Sequence, residues 1–152
     1  MDVTLRQPHE SDWQVIYELA VAAVPWDDNG NQEWVANRRI FTGRRGHYVA
    51  EDNGQPVGYG GVDEGPETGV FRMFVVIAAE YFDTVGEALY RQLRADLSDL
   101  NARNVWVSEY ASDETIQAFF ARHGFHEQNR FKLADREDMI VMSRSLRLAV
   151  DK

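Results

Sequence analysis

The sequence predicts one α/β domain, in the broad sense that includes α+β folds, with a mixed, mostly antiparallel twisted sheet flanked by helices. One observation is the run Phe71–Ile77, which is too apolar to face water and is typical of a buried central strand. The second is Thr84–Leu100, where apolar residues recur with the helical period. The third is Asn53-Gly54, a strong hairpin signal. Hairpins combined with a strand–helix–strand crossover indicate this class of fold.

The first half of the predicted element order depends on prolines, caps and turn residues. Val3–Arg6 alternates and is followed by Pro8, which is typical of a short first strand. Ser11 is the predicted cap of a first helix, which Pro25 stops. The remaining predicted elements of this half are a turn at residues 26–30, a helix at Gln32–Phe41, and two strands at His47–Glu51 and Pro56–Asp63.

In the second half, the central strand and the long helix lead to a strand at Val105–Glu109. Ser112-Asp113-Glu114 predicts the start of another helix. That helix ends at His123-Gly124, because glycine suits the left-handed position after a helix. The last two strands are predicted at Phe125–Leu133 and Met139–Leu148. The complete order is β-α-α-β-β-β-α-β-α-β-β over one domain, residues 1–152, without a repeat or a linker.

Composition limits the kinds of function. The chain has 152 residues, of which 44% are hydrophobic and 12% aromatic, enough for one packed domain. It has no cysteine, which excludes disulfides, thiolate metal sites and cysteine nucleophiles. A net charge of −9 disfavours nucleic-acid binding and favours a cationic partner, although solubility alone also explains it. Since we find no signal-like N-terminus and no apolar run of bilayer length, we expect a cytoplasmic protein without membrane contact.

The element order and several short motifs resemble the GNAT superfamily of N-acetyltransferases over nearly the whole chain. The segments that carry the resemblance are Leu5-Arg6 with Asp12, Gly58-Tyr59-Gly60-Gly61, Val76–Tyr90, Ala118–Phe125 and Met142–Leu146. The region of Arg130 and Asp138 is also similar to one half of tandem two-domain members. The resemblance implies a transferase of a bacterial-like soluble kind, an acyltransferase that uses acetyl-coenzyme A (acetyl-CoA) to acetylate an amine.

In this family the turn after the central strand reads Gln/Arg-x-x-Gly-x-Gly/Ala, and its backbone N–H groups bind the pyrophosphate. On a gapless alignment Tyr81 takes the Gln/Arg position, Thr84 takes the first glycine, and only Gly86 is kept. Asp83 adds a negative charge, and Thr84 with Glu87 forms a capping-box pattern that uses donors a phosphate would need. We therefore expect acetyl-CoA to bind weakly or not at all.

A shifted alignment is the alternative, with Asp83 at the Gln/Arg position and Gly86 and Ala88 as the glycine pair. On either alignment, the resemblance implies that strand backbone binds pantetheine and that the turn binds pyrophosphate. The implied cofactor-binding set is Phe74, Val75, Val76, Thr84, Val85, Gly86, Glu87, Ala88, Asp113 and Phe120.

Acetyl transfer needs a base that deprotonates the amine. The candidates are Glu109, at the end of the strand after the long helix, and Glu67, which precedes the central strand. Phe120 stands where many family members have a tyrosine that protonates the leaving thiolate, and phenylalanine has no proton to give. Tyr110 is a candidate to replace that acid. Each glutamate could equally be a solvated loop carboxylate, and Tyr110 could simply pack.

Aromatic residues give a weaker indication of the acceptor. Aromatic residues of the first two helices, with Asp27 and Asp28 beside them, could hold a cationic amine by cation–π contact, although ordinary helix packing also explains them. These aromatic residues are Trp13, Tyr17, Trp26 and Trp34.

His123 and His126 are too few for a metal site, so we expect none.

Two functions therefore stay open. One is an acetyl-CoA-dependent N-acetyltransferase acting on a small-molecule or peptide amine. The other is a non-catalytic GNAT-fold domain that has lost its cofactor and acts as a binding or interaction module. The departures at Thr84 and Phe120 leave enzymatic activity uncertain. A homodimer is one oligomeric state compatible with either function.

Overall fold

The computed structural model describes residues 2–39, 46–132 and 138–146. Within these ranges the helices and strands follow the predicted order, with 3-10 turns at Glu10–Asp12 and Ala79–Tyr81. Their bounds are β1 Val3–Arg6, α1 Trp13–Ala23, α2 Asp28–Arg38, β2 His47–Asp52, β3 Gln55–Glu64, β4 Val70–Ile77, α3 Phe82–Asp99, β5 Asn104–Tyr110, α4 Glu114–Arg122, β6 His126–Phe131 and β7 Met139–Ser145.

The strands form one sheet in the order β1-β2-β3-β4-β5-β7-β6. β4 and β5 run parallel, with Phe71 opposite Val105. The pairs β1–β2, β2–β3, β5–β7 and β6–β7 are antiparallel. The predicted fold class, a mostly antiparallel sheet with one parallel crossover through α3, is therefore confirmed.

The chain divides into two compact units, and the single-domain organisation stays a prediction. The first unit comprises Met1–Val62 and Val75–Asp96, and the second comprises Asp63–Phe74 and Leu97–Lys152. The first therefore holds α1, α2 and most of α3. The second holds α4, β5, β6 and β7. No helix in the described ranges is long and apolar enough to cross a membrane.

The first unit has an aromatic core around Tyr59 of β3. Tyr59 is fully buried, and the rings of Trp13 and Trp34 meet it edge-on with centroids 5.5 Å and 6.0 Å away. Its hydroxyl lies 2.9 Å from Nδ1 of His47, which is also fully buried. Apolar rings therefore supply burial here, while the Tyr59 hydroxyl and Nδ1 of His47 form a hydrogen bond with each other.

Two glycines of β3 make room for neighbours within this unit. A Cβ on Gly58 would lie 3.0 Å from the Val85 side chain of α3. A Cβ on Gly61 would lie 2.7 Å from Nδ1 of His47, closer than real Cβ contacts allow. The small residues of this strand are thus required by packing against Val85 and His47.

The hairpin between β2 and β3 is confirmed. Asn53 and Gly54 have φ angles of 53° and 80°, the left-handed region that this type of two-residue turn requires. Asp52 pairs with Gln55 across the turn, so both strands extend one residue beyond the predicted bounds at this end.

The predicted cap at Ser11 is wrong. The chain after Pro8 winds into the 3-10 turn Glu10–Asp12, so Ser11 lies inside a turn and α1 begins at Trp13. Asp12 supplies the polar contacts, since its carboxylate accepts a hydrogen bond from the His9 N–H at 2.6 Å. A sequence pattern cannot distinguish Ser11 from Asp12 as the organising side chain, because both residue types accept such bonds.

Arg6 fixes this turn against the sheet. Its Nη1 and Nη2 donate to the Asp12 carboxylate at 2.7 and 2.8 Å, and its Nε donates to Glu51 of β2 at 2.8 Å. Only 5% of the Asp12 side chain is exposed, so the paired charge makes its burial tolerable.

The second helix begins earlier than predicted. Residues 26–30 were predicted as a turn, but α2 starts at Asp28, and the Asp27 carboxylate accepts the Gly30 N–H at 3.1 Å as the helix cap. Asp and Asn favour turns and helix caps for the same reason, because their short side chains bond nearby N–H groups. The predicted end of this helix at Phe41 lies outside the described residues.

The second unit contains residues 70–74 of β4, together with β5, β7, β6 and α4. Asp113 caps α4 by accepting the Ile116 N–H at 3.2 Å, and the helix is followed by Gly124 with φ 87°, as predicted. Its core residues are Val105, Val107, Phe119, Phe120, Phe125 and Ile140. Every residue of β6, the last strand of the sheet, is exposed. The predicted ends at Leu133 and Leu148 lie outside the described residues.

Candidate functional site

Glu109 lies one residue before the end of β5 and continues a buried row. Alternate residues of a strand share a face, so Glu109 follows Val105 and Val107, both fully buried. Loss of water raises the pKa of Glu109 well above its usual value, the negative charge of Asp113 raises it further, and Arg72 opposes the rise. This carboxyl group keeps its proton to higher pH than an ordinary glutamate, which is typical of acid–base residues.

Arg72 is the cation whose charge opposes this rise, although it shares the face of its partner Trp106 and not that of Glu109. It is partly buried on β4, directly opposite Trp106 of β5, and its guanidinium carbon lies 5.5 Å from the centre of the indole ring. Its Nε is buried and has no hydrogen-bond partner among the described residues.

Arg72 also belongs to the last residue pair between β4 and β5. The register between β4 and β5 runs from Val70↔Asn104 to Arg72↔Trp106, whereas β5 stays paired with β7 as far as Tyr110↔Met139. β4 itself continues to Ile77. Arg72 therefore belongs to the last pair of the two parallel strands, and Glu109 lies three residues beyond Trp106 on β5.

Asp113 belongs to the surroundings of Glu109 through the helix it caps. Its carboxylate is held by the Ile116 N–H and contributes negative charge to the surroundings of Glu109. Gln117, one turn further, donates from Nε2 to the carbonyls of Tyr110 and Ala111 at 3.0 and 2.8 Å. These bonds fix the end of β5 relative to α4. Asp113 was predicted to bind cofactor, which stays a prediction beside its capping role.

The structure does not bring the other two catalytic candidates to Glu109. Tyr110 follows it directly in the strand, so their side chains leave opposite faces. Glu67 is exposed ahead of β4, where its carboxylate lies 3.7 Å from Arg103, the residue before β5. Glu67 therefore lies at the opposite end of the parallel strands from Glu109. Their catalytic roles stay predictions.

The turn after β4 differs from the prediction. The 3-10 turn Ala79–Tyr81 winds the chain directly into α3, which begins at Phe82. Tyr81 N–H donates to the Ala78 carbonyl at 2.9 Å, and Phe82 N–H donates to that of Ala79. Thr84 is the third residue of the helix, so the predicted capping box of Thr84 with Glu87 is wrong. A cap must precede the first helical residue.

The other cofactor candidates lie on α3, β4 and α4. Val85 is fully buried and Gly86 is buried, both within α3, while Glu87 and Ala88 are partly buried. Phe74, Val75 and Val76 are buried in β4. Phe120 is fully buried, and its ring centroid lies 5.2 Å from that of Phe119 and 5.0 Å from that of Phe125.

The aromatic residues of the first two helices are largely engaged by the protein itself. Trp13 belongs to the core, and the Arg38 guanidinium lies 4.2 Å from the centre of the Trp34 ring. The Tyr17 hydroxyl donates to Asp28, which raises the pKa of Tyr17. Trp26 is 56% exposed. Among the described residues no group of His, Asp or Glu side chains could hold a metal ion.

Sequence reasoning missed Arg72 and the His47–Tyr59 pair. Arg72 interrupts an apolar strand, and a charge in such a run is the signal that could have identified it. Its pairing with Trp106, 34 residues away, is visible only in the folded chain. His47 gave no signal, since its contact with Tyr59 depends on the space left by Gly61.

Comparison with known proteins gives a consistent picture. The model of the acetyltransferase (GNAT) family matches residues 13–125. No curated protein matches the chain by sequence. Among solved structures, Ard1 from Thermoplasma volcanium has a TM-score of 0.81 at 15% identity, covering 95% of this chain and 98% of that one.

Two further structures show the same likeness. Ribosomal-protein-alanine N-acetyltransferase from Brucella melitensis has a TM-score of 0.71 at 21% identity, covering 94% of this chain and 99% of that one. The protein yncA from Salmonella typhimurium, solved with its cofactor acetyl-CoA, has a TM-score of 0.69 at 16% identity, covering 95% and 94%. At these identities the likeness establishes a shared fold.

Proposed function

This chain belongs to the GNAT family of acetyltransferases, and from that premise we propose that it transfers an acetyl group from acetyl-CoA to the amine of a small molecule or peptide. Glu109 is the general base. The observation that carries this assignment is the raised pKa of Glu109 at the point where β4 and β5 stop pairing. A base with a raised pKa takes up a proton more readily than an ordinary carboxylate.

The donor, when bound, supplies an acetyl group as a thioester. The Glu109 carboxylate accepts a proton from the amine as the amine nitrogen bonds to the acetyl carbon and the carbon–sulfur bond breaks. Phe120 cannot donate a proton, and Tyr110 leaves the strand on the face opposite Glu109. The sulfur therefore leaves as a thiolate and takes its proton from water. The protein contributes mainly by holding the amine and the thioester together.

The residues present fit the pantetheine arm of acetyl-CoA better than its pyrophosphate. The backbone of Phe74, Val75 and Val76 continues β4 beyond its last pair with β5, where it would hold the pantetheine arm. The start of α3 fits the pyrophosphate less well. Asp83 is exposed in the first turn of that helix and places a negative charge near any phosphate. Weak donor binding is the expected consequence.

Thiol release tests this function. Because the protein has no cysteine, a thiol reagent reports only coenzyme A set free from acetyl-CoA. With an amine that supports turnover, kcat/KM should rise with pH as Glu109 loses its proton. Glu109→Gln should lower kcat by about a hundredfold or more, the usual contribution of a general base.

Glu127→Gln is the matched control, because Glu127 is an exposed glutamate of the same unit whose carboxylate pairs with Arg130 at the surface. It should leave the rate unchanged. Turnover that persists in Glu109→Gln with the same pH profile would remove Glu109 from the mechanism.

The second candidate is a binding module without catalysis. The early start of α3 and the charge of Asp83 favour it, since both alter the segment that binds pyrophosphate in this family. A thermal-shift titration with acetyl-CoA decides between the two. A ligand at 100 times its Kd stabilises the folded state by about 2.7 kcal/mol. No shift at millimolar acetyl-CoA, together with no thiol release, would favour the binding module.

A further inference from the structure

Gln117 of α4 bonds the backbone that directly follows Glu109. Its Nε2 donates to the Tyr110 carbonyl at 3.0 Å and to the Ala111 carbonyl at 2.8 Å. A side-chain amide carries two N–H groups on this nitrogen, so one partly buried side chain can supply both bonds. Because Glu109 immediately precedes Tyr110, the segment that Gln117 binds begins next to the candidate base.

The peptide group between Tyr110 and Ala111 is bonded on both of its sides. The Ala111 N–H donates to the Asp138 carbonyl at 2.8 Å, in the chain that enters β7. The C=O and N–H of a trans peptide point in opposite directions, so the Tyr110 carbonyl points away from β7. There it accepts the Asp113 N–H at 3.0 Å as well as the bond from Gln117. The end of β5 is therefore fixed by β7 along one edge and by α4 along the other.

The edge of β5 that faces away from β7 has β4 as its neighbour only as far as the pair Arg72↔Trp106. Four residues later, the Tyr110 carbonyl is bonded by α4 instead. A neighbouring strand fixes an edge by a continuous ladder of backbone bonds, whereas here one N–H group and one side chain do so. The position of Glu109, between these two points, is therefore sensitive to Gln117.

Gln117 also ties the end of β5 to the residue that caps α4. Asp113 and Gln117 are four residues apart, so they lie on the same face of the helix. Burial and then the charge of Asp113 raise the pKa of Glu109. Both effects depend on where the carboxyl group lies relative to water and to Asp113. A side chain that ties the strand end to the first turn of the helix keeps this arrangement constant.

We propose that Gln117 is a positioning residue for acetyl transfer: its side-chain amide holds the end of β5 against α4 and so fixes where the Glu109 carboxylate receives the proton of the amine. The proposal rests on the proposed function, in which Glu109 is the base. Gln117 acts through the strand and exchanges no atom with the substrates, so the bonds formed and broken are those of that reaction. Its effect therefore belongs to kcat and not to the affinity for acetyl-CoA.

Gln117→Met tests this role, because methionine is similar in length and has no N–H donor. In the thiol-release assay kcat should fall by about tenfold to a hundredfold, since a small misplacement of a catalytic group lowers the rate steeply. KM for acetyl-CoA should be unchanged. The pKa in the rise of kcat/KM with pH should move down towards that of an ordinary glutamate, because a looser strand end admits water and separates Glu109 from Asp113.

Gln128→Met is the matched control, since Gln128 is an exposed glutamine of β6 in the same unit. It should leave both kcat and the pH profile unchanged. Gln117→Lys should recover part of the lost kcat, because an ammonium group has donors for both carbonyls. If Gln117→Met does not fold, Gln117→Glu takes its place, since a carboxylate cannot donate to either carbonyl.

Three results would overturn the proposal. The first is a native kcat and pH profile in Gln117→Met. The second is an equal loss of kcat in Gln117→Met and Gln117→Lys, because the donated bonds would then be irrelevant. The third is a change confined to KM for acetyl-CoA, which would assign Gln117 to binding of the donor.

A titration without substrates separates this inference from the proposed function. The side-chain carboxyl carbon of Glu109, identified by its loss in Glu109→Gln, is followed by NMR as pH is raised. Its midpoint should be lower in Gln117→Met than in the native protein and unchanged in Gln128→Met. If this occurs and no amine supports thiol release, the positioning of Glu109 stands and acetyl transfer fails. Thiol release that depends on Glu109, with the same midpoint and rate in Gln117→Met, gives the opposite result.

Discussion

The pKa values of two carboxyl groups in this protein are shifted in opposite directions. Glu109 has a raised pKa because burial disfavours its charge, whereas Asp12 has a lowered pKa because Arg6 binds its charged form. The contrast shows that burial alone does not fix protonation, since Asp12 is buried and still has a lowered pKa. A hydrogen-bonded cation decides the outcome for Asp12.

Glu109→Gln should stabilise the fold at neutral pH. A raised pKa means that the stability associated with protonated Glu109 is complete below its unfolded pKa and is lost as pH rises through the folded pKa. The glutamine variant does not suffer that loss. Urea unfolding at pH 8 should therefore show a gain larger than the about 0.5 kcal/mol of neutral surface changes.

The difference between Glu109→Gln and the native protein should vanish below about pH 4, the unfolded pKa of glutamate. Glu127→Gln, at an exposed position, should show no such pH-dependent difference in stability from the native protein. A Glu109→Gln variant that is less stable than the native protein at pH 8 would show that ionised Glu109 makes contacts that offset the free-energy cost of burying its charge.

Asp12→Asn should destabilise the protein by about 2 kcal/mol at pH 7, somewhat less than the full cost of breaking a buried ion pair because Arg6 is partly exposed. A lowered pKa contributes stability above the unfolded pKa, and that stability is lost as pH falls through the folded pKa. The destabilisation should therefore shrink in acid, as measured by urea unfolding from pH 7 to pH 3.

Arg39→Gln is the comparison for this pair, because Arg39 and Glu10 form an ion pair whose side chains are 55% and 65% exposed. Exposed pairs contribute about 0–1 kcal/mol, so little change is expected. Equal losses in both variants would mean that the burial of Asp12 adds nothing to its bond with Arg6.

Among the secondary-structure elements, α3 is the one on which the proposed binding of the donor depends most. Its first turn contains Asp83 and Thr84, and it begins directly after a 3-10 turn. The 3-10 turn engages the N–H groups of Tyr81 and Phe82, which lie in the segment that the family pattern offers to a phosphate. With the charge of Asp83, this departure is the reason that we expect weak donor binding.

The triple variant Tyr81→Arg, Asp83→Gly and Thr84→Gly should bind coenzyme A about tenfold more tightly or better, a gain of about 1.4 kcal/mol. It removes one negative charge, adds one positive charge and loosens the first turn, since glycine disfavours helix by about 1 kcal/mol per residue. Calorimetry on the parent and the variant gives the two affinities. Tight binding by the parent would show that the native turn already reaches the phosphates.

The starts of the helices show where prediction from sequence reached its limit. Strands and the crossover were predictable because periods of 2 and 3.6 residues are set by backbone geometry. The starts of α1 and α3 were not, because 3-10 turns at Glu10–Asp12 and Ala79–Tyr81 bring the chain into helix without the expected cap. Such turns carry no periodic signal over three residues.

For the whole molecule, net charge is the property that sequence fixes most directly. A charge of −9 on 152 residues produces self-repulsion in the compact state. Raising NaCl from 10 mM to 300 mM should screen it and raise Tm by about 2 °C or more, the shift that about 1 kcal/mol produces in a chain of this size. Calorimetry with sucrose in place of salt is the control. A lower Tm in salt would mean that attractive pairs such as Arg6 with Asp12 outweigh the repulsion.

Only part of the candidate site could be predicted from the sequence. Glu109 could be predicted because it lies near the end of a strand of a recognisable crossover, but its raised pKa depends first on burial and then on the charge of Asp113, with Arg72 opposing the rise. Arg72 itself belongs to a strand that sequence identifies only as apolar. Which charges meet is decided by the strand register, which one-dimensional patterns do not contain.

The close approach of His47 to Gly61 also restricts how the chain could have changed over time. A side chain at position 61 would collide with the imidazole at 2.7 Å, so position 47 must become smaller before position 61 can become larger. The reverse order passes through an intermediate with a clash in the core, where overpacking costs about 1–3 kcal/mol. The route in which position 47 becomes smaller first avoids this clash.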